Sequence, residues 1–131
     1  MSVNFPKLID VDLAKSHYNE HGGNFYFKLD KVVEDRWKQA FRDAASQEQA
    51  DCFYAKQPSV HENEWIVAFA EIEGENDLNT VLDHLKHAIN VANSELGDVI
   101  AAENAEEAKK EAARNELEQR VKKIVGGLNF N

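Results

Sequence analysis

The chain has 131 residues, 43% hydrophobic and 30% charged, with a formal net charge of −9 at pH 7: one domain's length, able to bury a core without metal or disulfide staples. Phosphate backbones and anionic lipid are bound by clustered Lys and Arg, so so acidic a chain is not expected to bind nucleic acid directly or to sit on a membrane. The single cysteine, Cys52, cannot close an internal disulfide, and the opening MSVNFPKLIDVD has no basic-then-apolar secretory pattern. No run reaches a membrane span, and the expectation is a cytoplasmic protein.

Residues 1–23 carry the weakest pattern. IDVDLAKSHYNEHGG is read as a short helix capped by Asp10 and stopped at Gly22, with an extended edge segment as the alternative. After the Gly22-Gly23 turn, NFYFKL alternates, which predicts a strand over 24–29 with Phe25, Phe27 and Leu29 inward. Asp30 then caps a helix over 31–46, whose apolar face is Val33, Trp37, Phe41 and Ala44.

DCFYAK, 51–56, is read as a short strand, and QPSVHENE as a hairpin loop containing Pro58 and Asn63. WIVAFAEI, 65–72, is apolar on both alternating sets, as expected of a central strand covered on both faces. GENDLNT supplies Asn76 or Asp77 as the cap of a helix running to about Leu96, with Gly97 as its stop. Asp98 opens a further helix to Gly126-Gly127, about 40 Å long at 1.5 Å per residue. Glu106–Lys110, Glu116–Arg120 and Glu118–Lys122 support it at i,i+4 spacing. Its apolar stripe is narrow: Ala101, Ala105, Ala108 and Ala112, then Leu117, Val121, Ile124 and Leu128.

These elements define an α+β protein with an antiparallel sheet of three or four strands packed with helices. The order β-α-β-β-α resembles the ferredoxin-like arrangement in element order alone, with 128–130 as a vestigial fourth strand. Residues 1–97 form the core domain. Residues 98–131 form a helical extension, part of the same domain or of a dimer interface.

His84 and His87 are the first residues to weigh for chemistry. Leu78, Leu82, Leu85, Ile89, Ala92 and Leu96 define the helix's buried face; His84 lies about 120° and His87 about 180° from its centre at 100° per residue. One helix supplies two ligands where zinc wants three or more, and the third would have to come from His61, His17 or His21. The pair is therefore read as a solvated or interface pair, with no metal. His17-x-x-Glu20-His21 is not in the H-E-x-x-H order. Cys52 with His61 as base would need a lowered thiol pKa, and a strand cysteine reads instead as a small hydrophobe. EIEGENDLN, 71–79, fails the EF-hand spacing, its acids serving the following helix N-terminus. Tyr26 and Tyr54 fall opposite the inward sets of their strands, an aromatic face of the kind that stacks bases, but set among acids.

Residues 1–97 hold nine Lys/Arg against seventeen Asp/Glu, and no basic residue lies between Lys56 and Lys86. The expectation is a non-enzymatic, acidic protein-interaction module with no cofactor and no catalytic residue. It would self-associate as a homodimer or dock on a protein partner, a basic or nucleic-acid-binding one in the sharper version, where the chain is an inhibitor imitating nucleic acid. The candidate contact residues are Glu62, Glu64, Glu71, Glu73, Glu75, His84, His87, Leu117, Val121 and Ile124. The alternative is a small-ligand- or metal-binding protein, or an enzyme, with a pocket between sheet and helices.

Overall fold

The computed structural model describes residues 5–128, with the side chains of Tyr54 and Ala55 outside the description. The chain divides into two compact units at the Gly97–Asp98 boundary. In order, the elements are β1 (Leu8–Tyr18), β2 (Gly22–Leu29), α1 (Asp35–Gln47), α2 (Asp51–Ala55), β3 (Ser59–His61), β4 (Trp65–Glu71) and α3 (Asp77–Gly126). The four strands make one antiparallel sheet in the order β1-β2-β4-β3. The protein is thus α+β, but two strands precede the first helix and two helices precede β3, so the element order departs from β-α-β-β-α.

One face of the sheet is the core. Register pairs Phe25 with Ala68 and Phe27 with Ile66, and these four with Leu29 are 2% exposed or less. Against them lie Trp37, Phe41 and Ala45 of α1, Phe53 of α2, and Val81, Leu85, Ala88 and Ala92 of α3, all likewise buried. Trp37 stacks on Phe41 with centroids 5.4 Å apart. Its indole N–H donates to Asn93 Oδ1 at 2.7 Å, and Asn93 Nδ2 donates to the Pro6 carbonyl at 3.2 Å. That chain ties α1, α3 and the segment before β1 through one satisfied polar relay.

β4 is internal, as its two-sided apolar pattern requires, with Trp65 and Val67 on the outer face each only 8% exposed. No second layer is needed to explain Trp65. Lys15 Nζ sits 5.2 Å and Lys28 Nζ 4.8 Å from the centre of its ring, so the two ammonium groups lie over the indole and cover it. Beside it, β1 bulges: Asp12 pairs with Tyr26 and His17 with Asn24, so five steps on β1 match two on β2. Ser16, buried in the bulge, accepts the Tyr26 N–H at 3.0 Å and donates to the Asp12 carbonyl at 2.6 Å, replacing the lost ladder bonds.

Five local readings are corrected. The segment read as an N-terminal helix is the edge strand β1; most of its residues are exposed, Ile9 and Leu13 among them, so no buried set marked its period. DCFYAK is not a strand: 51–55 is one helical turn that buries Phe53. The hairpin it was assigned to is smaller, with β3 joined to β4 through Glu62, Asn63 and Glu64. The first two have positive φ (54° and 62°), and the Glu64 N–H returns to the His61 carbonyl, closing a β-turn within the three-residue connection 62–64. Asp30 caps no helix; it accepts the Lys7 N–H at 2.9 Å, and α1 begins at Asp35. Gly97 stops nothing, because α3 continues through it to Gly126. Of the suggested strand at 128–130, Leu128 is not in a strand and residues 129 and 130 lie outside the described residues.

Candidate functional site

The two histidines that share a face of α3 are held by a carboxylate from elsewhere in the fold. Glu48 is the C-cap residue of α1, its own N–H bonded to the Ala45 carbonyl. That position carries its side chain across to α3, where Oε1 meets His84 Nδ1 at 2.7 Å and Oε2 meets His87 Nδ1 at 2.6 Å. Both carboxylate oxygens are used, and the Glu48 side chain is only 11% exposed, against 29% for His84 and 64% for His87. The Phe53 ring closes on His84 edge-on, with centroids 5.9 Å apart. Burial pushes the Glu48 carboxyl up, but its two histidine hydrogen bonds and their charge outweigh that and hold it below the ordinary value. The third group near the pair is thus Glu48 rather than His61, His17 or His21. Among the described residues no group of three is arranged to hold a metal ion.

Beside this clamp a cleft of about 440 Å³ is lined by Asp51, Cys52, Phe69, Asp77, Thr80 and His84, among others. His84, not His61, is therefore the histidine that shares a cavity with Cys52. His61 is engaged by Ser59 Oγ at 3.1 Å and by the Tyr26 ring. Cysteine, histidine and glutamate resemble a nucleophile–base–orienter series in type. The geometry does not complete it: among the described residues no hydrogen bond joins Cys52 to His84. Burial, with the negative charges of Asp51 and Glu48, pushes the Cys52 thiol up, which keeps it protonated and weakly nucleophilic near neutral pH.

The acidic candidates do not form one row. Glu62 and Glu64 lie in the β3–β4 turn and immediately before β4, with Glu71 at its far end, roughly 23 Å from Glu64 at 3.3 Å per residue. Several are already paired: Glu62 with Lys15 at 4.0 Å, Glu64 with Lys28 at 3.0 Å and Glu73 with His21 at 2.7 Å. Glu75 lies exposed in the turn before α3. On the outer sheet face Tyr26 lies against Trp65 and His61, while the Tyr54 side chain falls outside the described residues.

The second unit presents the other candidates. Every residue from 101 to 128 is exposed. Leu117, Val121, Ile124, Val125 and Leu128 are 52, 48, 61, 51 and 54% exposed. The bonds from Gly127 N–H to Ile124 and from Leu128 N–H to Val125 add one more turn after Gly126. The step from Ala112 to Leu117 is five residues, about 140° at 100° per residue. The alanines and the larger apolar residues therefore lie on nearly opposite sides of the helix, not in a single stripe. Val125 and Leu128 join the candidate set, and their i+4 spacing from Val121 and Ile124 was the available signal. Glu48 had none, since only the packing of α1 beside α3 brings it to the histidines.

In comparison with known proteins, no family model, no curated protein and no solved structure matches this chain. No helix of the described residues is long and apolar enough to cross a membrane.

Proposed function

We propose that this chain is a non-enzymatic protein-interaction module whose docking element is the 98–128 helix. The observation that carries the reading is the face made by Leu117, Val121, Ile124, Val125 and Leu128, large apolar side chains that are each about half exposed. Single exposed apolar residues are ordinary, but five on one side of one helix define a contiguous patch of roughly 450 Å², within the range of functional patches. In proteins most helical stability comes from packing an apolar face rather than from propensity, and the surface ion pairs here, such as Lys122–Glu118 at 3.7 Å, add little. A helix-in-groove or helix-to-helix contact would stabilise the helix and cover the face together.

The divided and partly paired carboxylates at the two ends of β4 are less suited to imitate a phosphate backbone. They would act on encounter with a basic surface, through the association rate. The Glu48 clamp is a structural tie between α1 and α3 in this reading, and His84 and His87 are not contact residues. The test is affinity capture with the full chain beside the double variant V121D/I124D, each checked by circular dichroism. Binding by the wild type that the variant loses supports the reading. Equal capture by both sinks it.

A further inference from the structure

We infer that the occupant of the 117–128 face is a second copy of this chain, packed antiparallel. This rests on the docking role proposed for that helix and names its partner. Leu117, Val121, Ile124 and Leu128 are spaced 4, 3 and 4, the alternation of d and a positions over two heptads. The spacing reads the same in both directions, and so does the residue type, with leucines at the ends and β-branched residues in the middle. A two-fold axis between Val121 and Ile124 therefore sets Val121 against Ile124 of the second copy and Leu117 against its Leu128, a self-complementary contact.

Charge selects the orientation. Antiparallel, the flanking positions place Glu118 beside Val125 of the second copy and Arg120 beside its Gly127, so no like charges meet. In a parallel in-register pair the next layers toward the N-terminus set Arg114 on Arg114, Lys110 on Lys110 and Glu107 on Glu107. Each such layer puts like charges in the seam where an apolar residue belongs. The antiparallel axis carries those positions away from their own copies.

Area and net charge set the strength and its salt dependence. Five half-exposed side chains from each copy give about 900 Å² of apolar burial, in the small class where weak, reversible contacts fall. A dimer dissociating in the micromolar range is expected. Residues 114–128 carry Arg114, Arg120, Lys122 and Lys123 against Glu116 and Glu118, and the whole chain carries −9. Two copies repel at either scale, so added salt should tighten the dimer. Docking on an oppositely charged protein would weaken in salt.

The experiment is sedimentation velocity on the full chain over a wide concentration range at low and high salt, beside V121D/I124D. A wild-type dimer that tightens in salt, with the variant's dissociation constant raised roughly a hundredfold or more, supports the inference. For orientation, Val121→Cys and Ile124→Cys are made separately in a Cys52→Ala background and mixed under mild oxidation. Cross-linking mainly between the two different variants is expected; same-variant cross-links in preference would overturn the antiparallel arrangement. A wild-type chain that stays monomeric throughout overturns the second copy as occupant. It does not touch the docking role, which the capture experiment decides separately. A dimer that V121D/I124D leaves intact also overturns the inference, because the contact then lies elsewhere.

Discussion

Glu48→Gln is the substitution that asks most of the structure. The side chain keeps its length and loses its charge, so packing is held while the bonds to His84 and His87 become those of a neutral amide. A hydrogen bond to a charged group contributes about 1.5–3 kcal/mol and a neutral one about 0.5–1.5. The difference applies nearly in full to His84, 29% exposed, and is reduced by solvent screening at His87, 64% exposed. The expected cost is therefore ~1–1.5 kcal/mol near pH 6. With an m-value of about 1 kcal/mol/M for a core this size, the urea midpoint should fall by roughly 1 M. Trp37 and Trp65 are the only two tryptophans of the chain and both lie before residue 97, so their fluorescence reports the core unit alone.

The pH dependence supplies a second readout. The Glu48 carboxyl is held below its ordinary value of 4.5 in the folded chain. The stability it contributes is thus complete above that ordinary value and is lost as pH falls through the lowered folded one. The gap between wild type and E48Q should be open at pH 6 and close as acid is added. A double-mutant cycle with His84→Ala should give a larger coupling than one with His87→Ala, about 0.5–1 kcal/mol against less than 0.5. If E48Q unfolds within about 0.3 kcal/mol of wild type at pH 6 and follows the same acid limb, the clamp holds nothing and its geometry is incidental.

The other predictions concern single groups. Trp37→Phe should cost ~1–2 kcal/mol more than Trp65→Phe, because the first leaves Asn93 Oδ1 without its donor, while the second removes a buried indole N–H that has no acceptor among the described residues. Equal costs, measured by urea unfolding followed by circular dichroism, would contradict that assignment. Gly97→Ala should stabilise the chain by up to ~1 kcal/mol, since a Cβ there meets only the Phe5 ring edge at 3.4 Å and Gly97 lies within a helix. A loss of stability would instead mark Gly97 as a helix stop. Cys52 should react slowly with a thiol reagent at neutral pH and accelerate as pH rises past the ordinary thiol range, its thiol being pushed up by burial and nearby acids. Rapid labelling at pH 7 would revive a nucleophilic role.

What could be read from the sequence follows the strength of burial. β2 and β4 were legible because Phe25, Phe27 and Leu29, and the doubly apolar Trp65–Ala70 run apart from half-buried Phe69, are buried on the faces their alternation predicts. β1 was not, because an edge strand that buries little carries no period to detect. Residues 51–55 failed for another reason: five residues span little more than one helical turn, too few to separate a period of 3.6 from one of 2. At Gly97 a residue that commonly ends helices sits between Leu96, buried in the core, and a run of alanines and ion pairs that favours continuing. The local penalty of about 1 kcal/mol is smaller than what the flanking sequence supplies.

The candidate site divides along the same line between what one element can say and what two must say together. Spacing on α3 set His84 and His87 side by side but centred the core face on Leu78 and Leu82, which are only half-buried. The buried set is Val81, Leu85, Ala88, Ile89, Ala92 and Leu96, so His84, 29% exposed, borders the core rather than facing away from it. Their partner arrives because α1 ends at Gln47 and its C-cap falls beside α3, a fact of packing with no trace in local pattern. The 117–128 face is the opposite case, being one helix whose periodicity is complete in itself. The run of carboxylates from Glu62 to Asp77 shows the hazard of reading charge along a chain: β4 lies between them, so residues adjacent in sequence are delivered to opposite ends of a strand. A one-signed stretch becomes a one-signed surface only when the fold keeps it on one side, and here Lys15 and Lys28 arrive from β1 and β2 to answer part of it. The most legible feature of this chain is therefore also the one on which the proposed function rests, a helical face that needs no other element of the fold to define it.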